Sequence, residues 1–136
     1  MYYLDSDDEE QTLWMKPEQQ FITEYKSFVN QNPSTFRLQL YEDSIVPSFT
    51  RTEIAALYKP QTHWALRGVR LLGYVHFNLI DVFVNLLSND ATRNYQYIEY
   101  MFPKFIQVAP LKDIASMLQI TPVTLSRIRA GNQTKY

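Results

Sequence analysis

Two arginines, Arg127 and Arg129, stand in the segment LKDIASMLQITPVTLSRIRAGNQ, Leu111 to Gln133, where the surrounding apolar period gives them a chemistry. A guanidinium offers a planar fork of donors that matches phosphate oxygens, or the O6 and N7 acceptors on the edge of guanine. What decides whether such a fork can be used is the scaffold that holds it. Leu111, Ile114, Ala115 and Leu118 fall at i, i+3, i+4 and i+7, one buried stripe on a short helix whose exposed face is expected to carry Lys112, Asp113 and Ser116. A second helix is announced by Thr121 as N-cap and by Pro122 at the first helical position, where a missing amide costs nothing. Leu125 and Ile128 then face the first helix, leaving Pro122, Val123, Thr124, Ser126, Arg127 and Arg129 at or near the other surface. Ala115, five residues before Ile120, is small enough for the two helices to approach across the corner. This is the spacing of a helix-turn-helix that sets its second helix into a DNA major groove. A solvated helical hairpin with no ligand has the same stripe and stays open as the alternative.

The rest of the chain must position that pair. At 136 residues, with 46% apolar and 15% aromatic residues, the sequence can bury one ordinary core or two small ones, which argues against disorder. The absence of cysteine removes disulfides and thiolate chemistry, and two isolated histidines argue against a zinc site; a reducing, cytoplasmic location is expected. No basic stretch leads into an apolar run at the start, and no window reaches the ~18 uninterrupted apolar residues of a membrane span, so neither export nor a membrane partner is expected. The net charge of −1 divides unevenly. Residues 1–60 hold ten acids and five bases, whereas residues 104–136 hold five bases (Lys104, Lys112, Arg127, Arg129, Lys135) against Asp113 alone. A basic terminal unit beside an acidic one suits a modular DNA binder, because only the face that meets phosphate needs to be positive.

Along the chain, Met1 to Met15 reads as a hairpin, YYL and TLWM about the acidic turn DSDDEE. The acids Asp7, Asp8, Glu9 and Glu10 lack the alternation and central glycine of a calcium loop and read as a solvated turn. Glu18 to Asn30 has helical spacing through Phe21, Ile22 and Tyr25, and Phe36, Leu38 and Leu40 alternate with polar or half-polar residues as in a half-buried strand. Thr50 or Thr52 caps a small helix ending near Pro60. From about Thr62 to Leu87 a long helix is expected, with Val69, Leu72, His76, Leu79, Phe83 and Leu86 spaced 3, 4, 3, 4 and 3 as in a seam between like helices. A homodimer follows, with His76 a polar residue on the seam. The alternative is that Leu71, Val75 and Val82 pack on the strand domain of the same chain, and apolar residues suffice for both faces. Ser88 or Asp90 caps the next helix, which ends at Phe102-Pro103. The group Tyr95, Tyr97, Tyr100, Phe102 and Phe105 reads as a small-domain core rather than a base-stacking surface.

Val108 to Arg129, VAPLKDIASMLQITPVTLSRIR, closely resembles the helix-turn-helix of the Crp/Fnr family of transcription regulators, in the form common in Bacteroidetes. Trp14 to Val46, WMKPEQQFITEYKSFVNQNPSTFRLQLYEDSIV, resembles the end of that family's sensory roll, and with Arg93 and Tyr95 ahead of the Phe102-Pro103 step the likeness covers nearly the whole chain. The resemblance implies an α+β fold: a partial cyclic-nucleotide-binding-like β-roll, an incomplete jelly roll, over residues 1–60; a dimerisation helix over 61–88; and a helix-turn-helix DNA-binding domain over 89–136. Met1 corresponds to a point well inside the family's roll, so the chain would be N-terminally shortened.

The likeness assigns roles to residues. The family's phosphate-binding cassette has a Gly-Glu pair and an arginine; here no glycine lies between Phe21 and Leu38, and Pro33-Ser34-Thr35 brings no arginine, with Glu24 and Arg37 the nearest charges. Cyclic nucleotide binding is therefore not expected, and no cofactor is. The base-contacting positions carry Pro122, Val123 and Arg127, of which Arg127 keeps the guanine-reading fork and Val123 offers an apolar contact such as to a thymine methyl. Lys112, Thr121, Thr124, Ser126 and Arg129 would hold phosphates, and the expected partner is double-stranded DNA. No Ser/His/Asp or Cys/His set or glycine-rich phosphate loop suggests an enzyme. The competing expectation is a remnant that does not bind DNA and acts through protein contacts or mixed dimers.

Overall fold

The longest apolar period becomes the longest element. A computed structural model describes residues 1–59 and 62–131. Two short strands, β1 (Tyr2–Leu4) and β2 (Glu10–Thr12), are followed by the helices α1 (Tyr25–Asn30), α2 (Arg51–Tyr58), α3 (Thr62–Ser88), α4 (Ala91–Met101), α5 (Pro103–Val108), α6 (Leu111–Met117) and α7 (Pro122–Arg129). At 1.5 Å per residue α3 is about 40 Å long. It meets α2 at one end and α4 at the other, and Gly68 lets the Tyr58 ring lie against its backbone.

The partial β-roll expected over residues 1–60 is not formed, and the α+β class is corrected to a mostly helical chain with one two-stranded sheet. A hairpin does form, antiparallel, but its second strand is Glu10–Thr12 rather than TLWM, with Tyr2 opposite Thr12, Tyr3 opposite Gln11 and Leu4 opposite Glu10. The alternation at Phe36 to Leu40 finds only one bridge, Arg37 to Tyr2, because a strand needs a neighbouring edge along its length and none is supplied. Leu38 and Leu40 stay exposed. The cyclic-nucleotide-binding-like character expected of this region goes with the roll. The helix expected from Glu18 is also shorter. Gln19 takes a left-handed conformation, and the Glu24 carboxylate accepts from the amides of Lys26 and Ser27, so the first helical turn begins only at Tyr25. Phe105 and Ile106 lie in α5, a further short helix that Pro103 starts.

The core lies in the C-terminal half. Tyr95, Ile98, Phe105, Ala109, Ile114, Ala115, Met117, Leu118, Leu125 and Ile128 pack together, and from the N-terminal segment Met15 joins them with Tyr41 against its edge. Of the aromatic group, Tyr95 and Phe105 are inside, Tyr97 and Phe102 lie against the core, and Tyr100 is exposed.

The corner between α6 and α7 is a Schellman motif. The amide of Ile120 donates to the Ala115 carbonyl (3.0 Å) and that of Gln119 to the Ser116 carbonyl (3.0 Å), with Gln119 left-handed at φ 54°. Glycine takes this conformation without the Cβ penalty that Gln119 bears. Gln119→Gly is therefore expected to raise the unfolding free energy by about 1 kcal/mol, measured as a higher urea midpoint at unchanged slope.

Candidate nucleic-acid interface

The surface of α7 is set by which side chains its core claims. Leu125 and Ile128 are buried, so at 100° per residue Val123, Ser126 and Arg127 are carried to the far side, with Val123 60% exposed. Val123 and Arg127 stand one turn apart on the same outward face. Thr121 caps the helix: its Oγ1 accepts from the Thr124 amide (3.1 Å), and the two hydroxyls share a further hydrogen bond (2.9 Å). Pro122 at the first position leaves no amide to satisfy there. Arg127 has no hydrogen-bond or ion-pair partner among the described residues, so its fork faces solvent. Arg129 differs. Its guanidinium lies 5.6 Å from the Tyr95 ring centre and one of its terminal nitrogens donates to the Ile106 carbonyl (3.2 Å), which fixes it at the flank of α7 against α4 and α5.

The expected outer face of α6 is covered at Asp113 and Ser116, while Lys112 stays exposed. Asp113 is 7% exposed and accepts from the Tyr41 hydroxyl at 2.7 Å. The Ser116 hydroxyl accepts from the Thr12 amide (2.9 Å) and donates to the Gln11 side-chain carbonyl (3.2 Å), so β2 is laid along this helix. Lys112 pairs with Glu10 at 3.1 Å, a contact that raises the lysine pKa. Lys104 pairs likewise with Glu18 (3.0 Å) and Glu42 (3.9 Å). Lys135 lies outside the described residues. The basic excess of residues 104–136 is thus partly neutralised by acids from the first third of the chain, and Arg127 is the cation left facing outward on α7. Sequence periodicity carried no signal for Glu10, Gln11 and Tyr41 at this site, because these contacts join residues 72 to 105 positions apart.

The expected dimer residues lie on α3. Val69, Leu72, His76, Leu79 and Phe83 are exposed, while Leu86 packs against the C-terminal core. Val82 is buried, but Leu71 is exposed, and the strand domain on which the same-chain alternative packed them is not formed. The opposite side of the helix is a polar stripe, His63, Arg67, Arg70, Tyr74, Asn78, Asp81, Asn85 and Ser88, spaced by threes and fours. Between His63 and Ser88 the helix is long and apolar enough to cross a membrane by length and composition, with a mean hydropathy of 1.4 in its most apolar window.

In comparisons with known proteins, the chain matches no family model, no curated protein and no solved structure.

The Tyr41–Asp113 contact makes one prediction. Burial first, and then the hydrogen bond to the Asp113 carboxylate, push the Tyr41 phenol well above the ordinary tyrosine range. A group whose pKa is raised on folding contributes stability that is present below its unfolded value and lost as the pH climbs through the folded one. Unfolding free energy is therefore expected to decline once the pH rises past about 10, and Tyr41→Phe to flatten that decline. Tyr95, raised by its own burial, keeps a smaller decline in place in that variant. Urea denaturation between neutral and strongly alkaline pH reads both effects.

Proposed function

We propose that this chain is a DNA-binding transcription regulator that enters the major groove with α7 and binds a two-fold site as a homodimer. The observation that carries the reading is the outward pair Val123 and Arg127 on a capped helix, held by a Schellman corner and a buried Leu125. Arg127 takes the guanine edge through O6 and N7, Val123 gives an apolar contact to a thymine methyl, and Pro122 approaches at the start of the helix. Thr121, Thr124, Ser126 and Arg129 hold the phosphates that flank those bases. The likeness to Crp/Fnr regulators supports this through Val108 to Arg129, and no cyclic nucleotide is part of it.

The dimer is proposed through α3, with Val69, Leu72, His76, Leu79 and Phe83 on the seam and half-sites about one helical turn, roughly 34–36 Å, apart. The amphipathic pattern favours a second helix over lipid: a helix surrounded by hydrocarbon does not carry Arg67, Arg70 and Asp81 along one face. A soluble, cytoplasmic, non-enzymatic regulator is the form this takes. The second reading, an interaction protein that does not touch DNA, is favoured by the pairing of Lys104 and Lys112 within the chain.

Fluorescence anisotropy against a pool of short duplexes separates the two. Saturable binding that weakens with salt is expected, and Arg127→Ala should cost about 1–3 kcal/mol on preferred sequences and much less on generic ones. An equal loss on all sequences would remove Arg127 from base reading, and no binding by folded protein would leave the interaction protein. Phe83→Glu, at an exposed position, is expected to turn a dimer into a monomer in sedimentation equilibrium and to lower DNA affinity at least tenfold, on the order of the 1.4 kcal/mol that separates tenfold steps. A Phe83→Glu protein that stays dimeric would move the seam off this face.

A further inference from the structure

The hairpin that covers α6 is organised around its own acids. The Asp5 carboxylate accepts from the amides of Asp7 and Glu9 (3.0 Å each) and from the Gln11 side chain (2.8 Å), a set of hydrogen bonds that holds its pKa below the usual carboxylate range. Those bonds order the turn, leaving Asp7, Asp8 and Glu9 exposed. The strand that follows is anchored. Trp14 and Met15 are buried, and the Thr12 and Gln11 contacts to Ser116 fix β2 along α6. With Glu10 beside Lys112 and Thr12 beside Ser116, β2 starts at the N-terminal end of α6 and runs toward its C-terminal end, and the acidic turn that precedes β2 lies beyond the helix start. In a helix-turn-helix the first helix crosses the phosphate backbone, and Lys112 stands at its start.

Building on the DNA-binding reading, we propose that the hairpin is a built-in competitor for DNA phosphate: the Glu10 carboxylate occupies Lys112 as a phosphate oxygen would, and Asp7, Asp8 and Glu9 repel the backbone that approaches it. A carboxylate and a phosphate oxygen present the same acceptor to an ammonium group. Because both partners of the Lys112–Glu10 pair are exposed, the contact is a weak one that strong polyanion can displace. The arrangement leaves the sequence-specific contacts of α7 untouched and weakens preferred and generic binding alike, because a phosphate contact is shared by both.

A double-mutant cycle on the full chain tests this with two duplexes, one preferred and one generic, over a salt series. Glu10→Gln is expected to tighten binding to both duplexes by about three- to tenfold at low salt and to steepen the slope of log K against log salt by about 0.9, the increment for neutralising one more phosphate. Lys112→Ala is expected to cost more affinity in the Glu10→Gln background than in wild type, and to remove the whole gain there. A loss on Lys112→Ala as large in wild type as in Glu10→Gln would show that Lys112 already reaches phosphate, and would overturn the proposal. Binding by wild type with no change on Glu10→Gln overturns the proposal and leaves the DNA-binding reading standing; no binding by any of the folded variants overturns both.

Discussion

The inward turn of Leu125 is the constraint on which the C-terminal surface depends. Its side chain is fully buried in the core that also holds Ile114 and Ala115, and a helix has no freedom to choose its outer face once its inner one is fixed. Burying Leu125 and Ile128 aims Val123 and Arg127 outward, and fully buried Ala115 of α6 packs in the same core. The same core extends through Ile98 and Phe105 into α4 and α5, which in turn receive Arg129 at the Tyr95 ring. Arg129, itself exposed, is held by that ring and by its hydrogen bond to the Ile106 carbonyl, and this separates it from Arg127, although only Ile128 stands between them.

The helices could be read from the sequence because their information is local. Thr50 with Glu53 forms the capping box that starts α2, Asp90 caps α4, and Thr121 caps α7, each within a few residues of the helix it begins. The three-four spacing of α3 and the stripe Leu111 to Leu118 carry their own periodicity. What could not be read is what depends on a distant partner. Phe36 to Leu40 has the alternation of a strand and no edge to pair with, and Asp113, polar and placed on the expected outer face of α6, is covered because Tyr41 and β2 come from elsewhere in the chain. The resemblance that suggested a roll over residues 1–60 rested on sequence order in a region where the fold is decided by strand neighbours. The candidate site divides along the same line: its outward residues on α7 follow from helix period, and its screening by Glu10 does not.

Charge counted along the chain and charge arranged in space give different pictures. Dividing the sequence at its middle separates an acidic part from a basic one, yet Glu10, Glu18 and Glu42 return to Lys112 and Lys104. Such exposed pairs contribute little to stability and are softened by salt. Their effect is on the field: the positive potential of the terminal unit is drawn in toward α7, where Arg127 projects.

Asn94 gives the junction between the long helix and the terminal unit a mechanical character. Its side-chain amide donates to the Leu86 carbonyl at the end of α3 and to the Asn89 carbonyl in the connection, while Leu86 itself packs on the core that α7 belongs to. The end of α3 is thereby pinned to α4 by polar and apolar contacts at once, with no slack segment between them. A turn of α3 about its own axis would therefore carry the whole terminal unit with it, and the outward face of α7 would swing under a lever whose far end is some 40 Å away.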